Sequence, residues 1–173
     1  MFYKVERYAG MSLDWLGKAF ENYGLLIIFG VVLLEYINFP GFPAGIILPF
    51  AGMWAQREEH FILPFLVTIA AGVFGSIILY YLGKFGGSRL LRICIGGSPK
   101  INAKVEALKE KIEKKGSYAV FISKLIPIVR TLVGIPAGAL NMKFKKYLVA
   151  SALGIVIWNG VLFSCGYWLG SGL

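Results

Sequence analysis

The sequence predicts an all-α integral membrane protein with an inverted repeat, in which each half is a re-entrant helical hairpin followed by one transmembrane helix. Apolar residues make up 57% of the chain and charged residues 16%, whereas soluble domains average about 45–50% apolar and 25% charged. Two uncharged runs, of 22 residues (61–82) and 27 residues (147–173), exceed the roughly 20 residues that cross a hydrocarbon core. Two other apolar segments contain charges and prolines, which favours hairpins.

The first 23 residues are predicted to form an amphipathic helix on the membrane surface. Charged side chains from Lys4 to Glu21 are interspersed with Trp15, Leu16 and Phe20, a mixture typical of interfacial helices. A signal peptide is not predicted, because no short apolar core ends in a small-residue cleavage site.

Residues 24–56 are predicted to form the first re-entrant hairpin. Its first arm is apolar apart from Glu35 and one asparagine, and the break has the sequence FPGFP, with Pro40 and Pro43. Because proline removes a backbone donor and interrupts a helix, these prolines are predicted to turn the chain. The alternative is one long tilted helix over 13–38.

Residues 61–83 are predicted to be the first transmembrane helix, and residues 84–116 a basic loop. Nine of the 18 basic residues lie in this loop with only three glutamates, so the positive-inside bias places it in the cytoplasm. Apolar residues at 101, 105, 108 and 112 predict an amphipathic helix on the inner leaflet, and a partner-binding helix is the alternative. Nucleic-acid binding is not predicted, since no recognised motif accompanies the charge.

Residues 117–142 are predicted to form the second re-entrant hairpin, broken at Pro127 and Pro136. The lysine cluster at 143–146 is also assigned to the cytoplasm, so this segment enters and leaves on one side. Two arms of about 13 residues reach only about 20 Å each. The second transmembrane helix is predicted over 147–171.

Two short sequence echoes indicate that the halves are related. The tripeptide Pro-Ala-Gly at 43–45 recurs at 136–138, and YYLG at 80–83 recurs as YWLG at 167–170. Because one hairpin enters from each side, the halves have opposite orientations, as in many secondary transporters.

Three charged side chains in the hairpins, Glu35, Lys124 and Arg130, are the candidate substrate-binding residues. A charge at the bilayer centre costs about 2.5–3.5 kcal/mol, so each needs a partner, water or a ligand. Pro127 lies between the two cations and could let them converge. Their net charge of +1 suits a phosphate monoester, with Arg130 as a planar fork and Lys124 as a point charge. Alternatively, Lys124 snorkels to the interface and Arg130 forms a structural ion pair with Glu35.

Polar residues on the two spans, Ser76, Tyr80 and Asn159, are candidates to line a polar path, although ordinary helix-to-helix hydrogen bonds explain them equally well. No metal site or cofactor is predicted. An enzyme is not predicted either, because no nucleophile, base and orienting group stand out as a set.

A series of residues in each half of the chain matches the motifs of a known family. In the second half it comprises Phe121, Lys124, Pro127, Arg130, Ala137-Gly138, Met142, Phe144, Gly154, Trp158 and Gly166-Tyr167. In the first half it comprises Glu35, Pro40, Pro43, Gly52, Gly75, Tyr80 and Gly83-Lys84. In these residues the chain resembles the DedA family of bacterial membrane proteins over 12–171; the family's domain is shared with eukaryotic lipid scramblases.

The sequence departs from the family's pattern in three respects. Ala44-Gly45 and Ser76 stand where the family often has acids, and Lys124 replaces an arginine. The family's acids are thought to support proton coupling. Without them, Glu35 is the one intramembrane carboxylate, and whether transport is coupled to protons stays open.

The resemblance implies transport of a lipid phosphate, best represented by undecaprenyl phosphate, across the bacterial cytoplasmic membrane, for carrier recycling in cell-envelope synthesis. Two alternatives stay open. One is a small-solute transporter of the same fold, for an oxyanion or for protons against cations. The other is a structural protein that supports membrane lipid homeostasis. A homodimer is compatible with so short a chain.

Overall fold

The computed structural model describes residues 23–37, 45–94, 99–127 and 129–172. Their helices are α1 (Tyr23–Tyr36), α2 (Ile47–Arg57), α3 (Ile62–Cys94), α4 (Pro99–Lys115), α5 (Ser117–Lys124), α6 (Val129–Leu132), α7 (Gly134–Ala139) and α8 (Phe144–Gly170). These ranges contain no strand, which confirms the all-α class. The predicted N-terminal amphipathic helix, apart from residue 23, lies outside the described residues, as do Pro40 and Pro43.

Two helices are long and apolar enough to cross a membrane. The apolar part of α3, Ile62–Gly86, has 25 residues, and α8 has 27. At 1.5 Å per residue they extend about 37 and 40 Å, more than the roughly 30 Å of a hydrocarbon core. Large apolar side chains such as Phe74 and Val161 are exposed along them, as expected for surfaces that contact lipid tails.

Helix α3 continues beyond its predicted end at residue 83 and ends at Cys94. The first part of the basic segment 84–116 is therefore helical as far as Cys94. Helix length is decided by backbone hydrogen bonding, so a change from apolar to basic residues does not by itself end a helix.

Helix α4 is the amphipathic helix predicted between the two halves. Leu108 and Ile112, which are four residues apart on one face, are buried in a cluster with Val120 and Val133. Helix α4 packs against α5 and α7. The apolar stripe of α4 therefore packs against the segment that contains α5 and α7, while charged side chains such as Lys111 and Glu113 remain exposed.

The short helices pack against the long helix of the opposite half of the sequence. Helix α2 lies along α8, and α7 lies along α3. Gly52 of α2 faces the α8 backbone, and Gly166 of α8 faces the α2 backbone. In the other pair, Gly83 of α3 faces the α7 backbone, and Gly138 of α7 faces the α3 backbone. Because glycine has no Cβ, each pair of helices approaches to backbone contact.

The segment 117–142, which is predicted to form the second hairpin, contains the three short helices α5, α6 and α7. Helix α5 ends at Lys124, three residues before Pro127. Pro136 does not break the chain but occupies the first turn of α7, where a residue without a backbone N–H is tolerated because those groups have no intrahelical acceptor. The Ala137 N–H still bonds to the Val133 carbonyl at 3.2 Å.

Candidate substrate-binding site

A cluster of charged side chains lies buried between the two halves of the molecule. Glu35 comes from α1, Lys124 from the end of α5 and Arg130 from α6, and they are 2%, 1% and 0% exposed. Arg130 Nη2 forms an ion pair with Glu35 Oε1. The structure thus brings together the three charged residues that the sequence singles out.

The local fold between α5 and α6 explains how the two cations converge. The Leu125 N–H bonds to the Ile122 carbonyl at 3.1 Å and ends α5, and the Arg130 N–H bonds to the Ile126 carbonyl at 3.0 Å. The turn between them brings Lys124 Nζ within 3.0 Å of the Arg130 carbonyl oxygen. In a straight helix, residues six apart point about 120° apart.

Lys124 is held entirely by neutral groups. Its Nζ donates to Ser76 Oγ at 2.8 Å and to the Arg130 carbonyl, and it lies 5.9 Å from the centre of the Tyr36 ring. The side chain is buried and does not snorkel to the surface. Its positive charge therefore has no carboxylate partner in the described part of the chain.

Ser76 is suited to accept a hydrogen bond from an ammonium group. Its hydroxyl donates to the Gly72 carbonyl at 2.8 Å, which leaves the oxygen lone pairs for Lys124. The Tyr147 hydroxyl donates to the Ser76 carbonyl at 2.9 Å. These bonds tie the middle of α3 to α5 and α8 around Lys124.

Glu35 is positioned by the beginning of the segment that leads into α2. The Gly45 N–H donates to Glu35 Oε1 at 2.8 Å, and Gly45 has a φ of +92°. That left-handed conformation is favourable for glycine and costly for residues with a Cβ. Gly45, which stands where the family often has an acid, is thus a backbone donor to the Glu35 carboxylate.

Two aromatic rings enclose Arg130, and the sequence analysis assigns neither of them a role at the site. The guanidinium carbon lies 4.4 Å from the centre of the Tyr36 ring and 5.4 Å from that of Trp158. Both distances are within the range of cation–π contacts. The available signal was adjacency in sequence, since Tyr36 follows Glu35 and Trp158 precedes Asn159.

The three residues predicted to line a polar path have different contacts. Ser76 contacts Lys124, as described above. Asn159 accepts from the Tyr36 hydroxyl at 2.7 Å and donates to the Thr68 carbonyl at 3.1 Å, so it positions an aromatic ring of the site. The Tyr80 hydroxyl donates to the Met142 carbonyl at 2.5 Å, away from the charged cluster.

Several buried polar atoms at the site lack a hydrogen-bond partner among the described residues: Arg130 Nε and Nη1, Glu35 Oε2, and Trp158 Nε1. Three of these are nitrogen donors around one guanidinium, and leaving a buried donor unpaired costs about 1–3 kcal/mol. The arrangement has donor capacity for an anion, and within the described ranges no three His, Cys, Asp or Glu residues are grouped to bind a metal ion.

The chain matches one family model and several relatives with curated names. A family model described as "VTT domain" matches residues 40–168. The chain is 36% identical to undecaprenyl phosphate transporter A of Staphylococcus aureus, over 84% of this chain and 74% of that protein. It is 30% identical to the Bacillus subtilis protein of the same name, over 92% and 76%.

A third relative has a different kind of name. The chain is 35% identical to an alkaline phosphatase-like protein of Lactococcus lactis subsp. cremoris, over 82% of this chain and 70% of that protein. No solved structure matches the chain significantly. The family match includes Lys124, Arg130 and Trp158, whereas Glu35 and Tyr36 precede it.

Proposed function

This chain belongs to the VTT-domain (DedA) family of membrane proteins, and from that premise we propose that it moves a lipid phosphate across the bacterial cytoplasmic membrane. Undecaprenyl phosphate is the proposed substrate, because it appears in the names of two relatives at 36% and 30% identity. The proposed role is the return of this carrier for further cell-envelope synthesis.

The observation that carries the proposal is the buried Arg130 guanidinium with unused donors. A guanidinium has five N–H donors, and the ion pair with Glu35 engages Nη2, while Nε and Nη1 lack acceptors among the described residues. Arginine binds phosphate oxygens through such N–H groups in charge-assisted hydrogen bonds. The Trp158 ring lies 5.4 Å from the guanidinium carbon, and its Nε1–H is a further donor without an acceptor among the described residues.

The charge balance of the site also favours an anion. Lys124 and Arg130 contribute two positive charges and Glu35 one negative charge, and all three are buried. The surplus positive charge belongs to Lys124, whose contacts are neutral acceptors. Because Coulomb interactions are strong where water is excluded, a phosphate that enters the site would be attracted to Lys124 and Arg130 together.

The architecture supports a path for an amphiphilic substrate. We propose that 24–56 and 117–142 are re-entrant hairpins that enter from opposite faces, and that the apolar parts of α3 and α8 span the bilayer as two inverted halves. Helix α2, with 11 residues, reaches only about 16 Å, about half of the hydrocarbon core. The lipid tail would remain in the bilayer while the head group crosses between the hairpins.

Glu35 is the proposed proton acceptor of the cycle. Its Oε1 is bound by Gly45 and Arg130, and Oε2 has no partner among the described residues. When Arg130 turns toward a phosphate, the carboxylate loses its counter-charge, and protonation would then remove the cost of a buried anion. A homodimer is proposed as the working assembly.

Two other activities are compatible with the site. The net positive site would also suit a small inorganic oxyanion, and the name of the Lactococcus relatives suggests hydrolysis of a phosphate monoester. Both are tested in parallel proteoliposomes without added phosphatase, in which flux of free phosphate and release of inorganic phosphate are separate readouts.

The test uses proteoliposomes that carry labelled undecaprenyl phosphate in the inner leaflet. The readout is the rate at which the lipid becomes accessible to an impermeant phosphatase outside, with and without a pH gradient. Arg130→Ala is expected to lower this rate at least about tenfold, equivalent to about 1.4 kcal/mol. Arg57→Ala, which removes an exposed arginine at the end of α2, is the matched control and is expected to stay within about twofold of wild type.

The folding of Arg130→Ala is checked by size-exclusion profile, and Glu35→Gln/Arg130→Ala serves as a second variant without an unpaired carboxylate. A folded Arg130 variant that moves the lipid at the wild-type rate would contradict the proposal. Faster flux of inorganic phosphate than of the lipid, or release of inorganic phosphate by the protein, would favour the corresponding alternative.

A further inference from the structure

A groove of about 270 Å³ lies between α4 and α5, outside the charged cluster. Its walls include Leu108, Lys111, Lys115, Tyr118, Ile122 and Ile126. One side of the groove is therefore basic and the other apolar, which is the division expected for a ligand with a charged head and a hydrocarbon tail.

The basic side presents two lysines on one face of α4. Lys111 and Lys115 are four residues apart, so their side chains are neighbours on the helix surface, and both are exposed. Among the described residues, no carboxylate lines the groove. Lys114 is paired with Glu110 at 2.6 Å, whereas Lys111 and Lys115 have no carboxylate partner in the described part of the chain and can bind an anion.

The apolar side is open to the surroundings. Tyr118 is 61% exposed and Ile126 is 43% exposed, and Ile122 lies between them along the chain. Apolar surface of this kind favours contact with hydrocarbon over contact with water. A tail that lies along these side chains would place its head group beside the two lysines.

The groove and the candidate substrate-binding site share one stretch of backbone. Ser123 and Val129, which line the groove, immediately precede Lys124 and Arg130. The Arg130 N–H also bonds to the carbonyl of Ile126, a further lining residue, at 3.0 Å. The two cations of the buried cluster are therefore next in sequence to residues that line the groove.

We propose that the α4–α5 groove is a separate binding site for a lipid phosphate. Lys111 and Lys115 hold its head group, and Ile122 and Ile126 contact the beginning of its tail, before the lipid passes to Arg130. The substrate class rests on the proposed function, but binding in the groove does not require translocation. A membrane lipid, and not free phosphate, is the proposed occupant because the groove pairs its charges with exposed apolar side chains.

The test measures binding of labelled undecaprenyl phosphate to the full chain in detergent, in an Arg130→Ala background that removes the inner arginine. Lys111→Gln/Lys115→Gln is expected to weaken binding about tenfold, or about 1.4 kcal/mol, and to reduce its dependence on salt. The control Lys145→Gln/Lys146→Gln makes the same charge change at the beginning of α8 and is expected to stay within about twofold. Ile122→Trp, which fills the apolar side, is expected to weaken binding while the lysines remain.

Three results would contradict the groove as a lipid-binding site: unchanged binding in the Lys111/Lys115 variant, an equal loss of binding in the control variant, or displacement of the lipid by inorganic phosphate with no effect of Ile122→Trp. The two proposals fail separately. Lysine-dependent binding in a protein that does not move the lipid would support the groove and contradict the proposed function. Translocation of the lipid without lysine-dependent binding would support the proposed function and contradict the groove as a binding site.

Discussion

Arg130 is the residue at which the different parts of the site meet. Its guanidinium pairs with Glu35, lies against the rings of Tyr36 and Trp158, and its own carbonyl accepts from Lys124. Desolvation makes a buried charge costly unless it is paired and hydrogen-bonded. The energetic contribution of each neighbour therefore depends on whether Arg130 is charged and paired.

The ion pair leads to a prediction about stability. Glu35→Gln keeps the shape of the side chain but leaves Arg130 as a buried charge without a counter-ion. The free energy of unfolding is expected to fall by about 3–5 kcal/mol, measured by thermal or denaturant unfolding in detergent. Glu35→Gln/Arg130→Met, which removes both charges, is expected to recover most of that loss. A double variant less stable than Glu35→Gln would contradict this account of the pair.

A substitution at Trp158 tests whether this side chain contributes more to lipid binding than to the stability of the fold. Trp158→Phe keeps an aromatic ring over Arg130 but removes one ring of the indole together with Nε1–H, which has no acceptor among the described residues. Because Trp158 is only partly buried against the core, stability is expected to fall by no more than about 1 kcal/mol, while lipid movement in proteoliposomes falls about fivefold, the value of one hydrogen bond of about 1 kcal/mol.

Tyr36→Phe is the contrasting variant. It removes the hydroxyl that donates to Asn159, so the buried amide oxygen loses its partner and stability is expected to fall by about 1–3 kcal/mol. If Trp158→Phe were the more destabilising of the two, the indole N–H would have a structural role and the proposed role in substrate binding would be wrong.

At the scale of helices, glycine controls how closely the elements pack. A Cβ added at Gly52 would overlap the α8 backbone at Phe163, and one at Gly138 would overlap the α3 backbone at Tyr80. In each case the neighbour is backbone, which cannot move aside as a flexible side chain can. The α2–α8 and α3–α7 contacts therefore depend on the absence of a side chain.

These contacts predict the effect of alanine at three glycines. Gly52→Ala and Gly138→Ala are each expected to lower the free energy of unfolding by about 1–3 kcal/mol or more, because the helices must separate. Gly30→Ala is the matched control in α1, since a Cβ there meets nothing within 4 Å, and it is expected to be neutral or to stabilise by up to about 1 kcal/mol. Equal effects at all three positions in thermal unfolding would show that close packing is not the cause.

At the scale of the whole molecule, each half of the sequence supplies the packing surface for the other. Helix α2 lies on α8 and α7 lies on α3, and the charged cluster takes Glu35 from the first half and Lys124 and Arg130 from the second. Separated halves would expose the glycine-lined faces of all four helices, break the Glu35–Arg130 ion pair and remove the Ser76 acceptor of Lys124.

A split chain tests this dependence. Two fragments divided between α3 and α4, each expressed alone, are expected to be degraded or to aggregate, whereas co-expression yields a complex that co-purifies through a tag on one fragment. The combination of both fragments is also expected to restore lipid movement. Fragments that resist proteolysis alone as well as together would show that the halves fold independently.

The sequence alone determined the class of protein, the two long apolar helices and the three charged residues of the candidate site. These features follow from local properties: composition, the length of uncharged runs and the cost of a charge in an apolar segment. A local rule does not locate Pro136 in the first turn of α7, because proline interrupts a helix interior but is accepted in a first turn.

Only the tertiary structure decided which groups meet. Glu35 and Arg130 are 95 positions apart, and Tyr36 and Asn159 are 123 positions apart. The aromatic rings around Arg130 and the Gly45 donor to Glu35 arise from the packing of helices from both halves. Residue spacing along one helix carries no information about such pairs, because they form only where separate helices approach, and that approach depends on glycines whose role is visible only in the packed molecule.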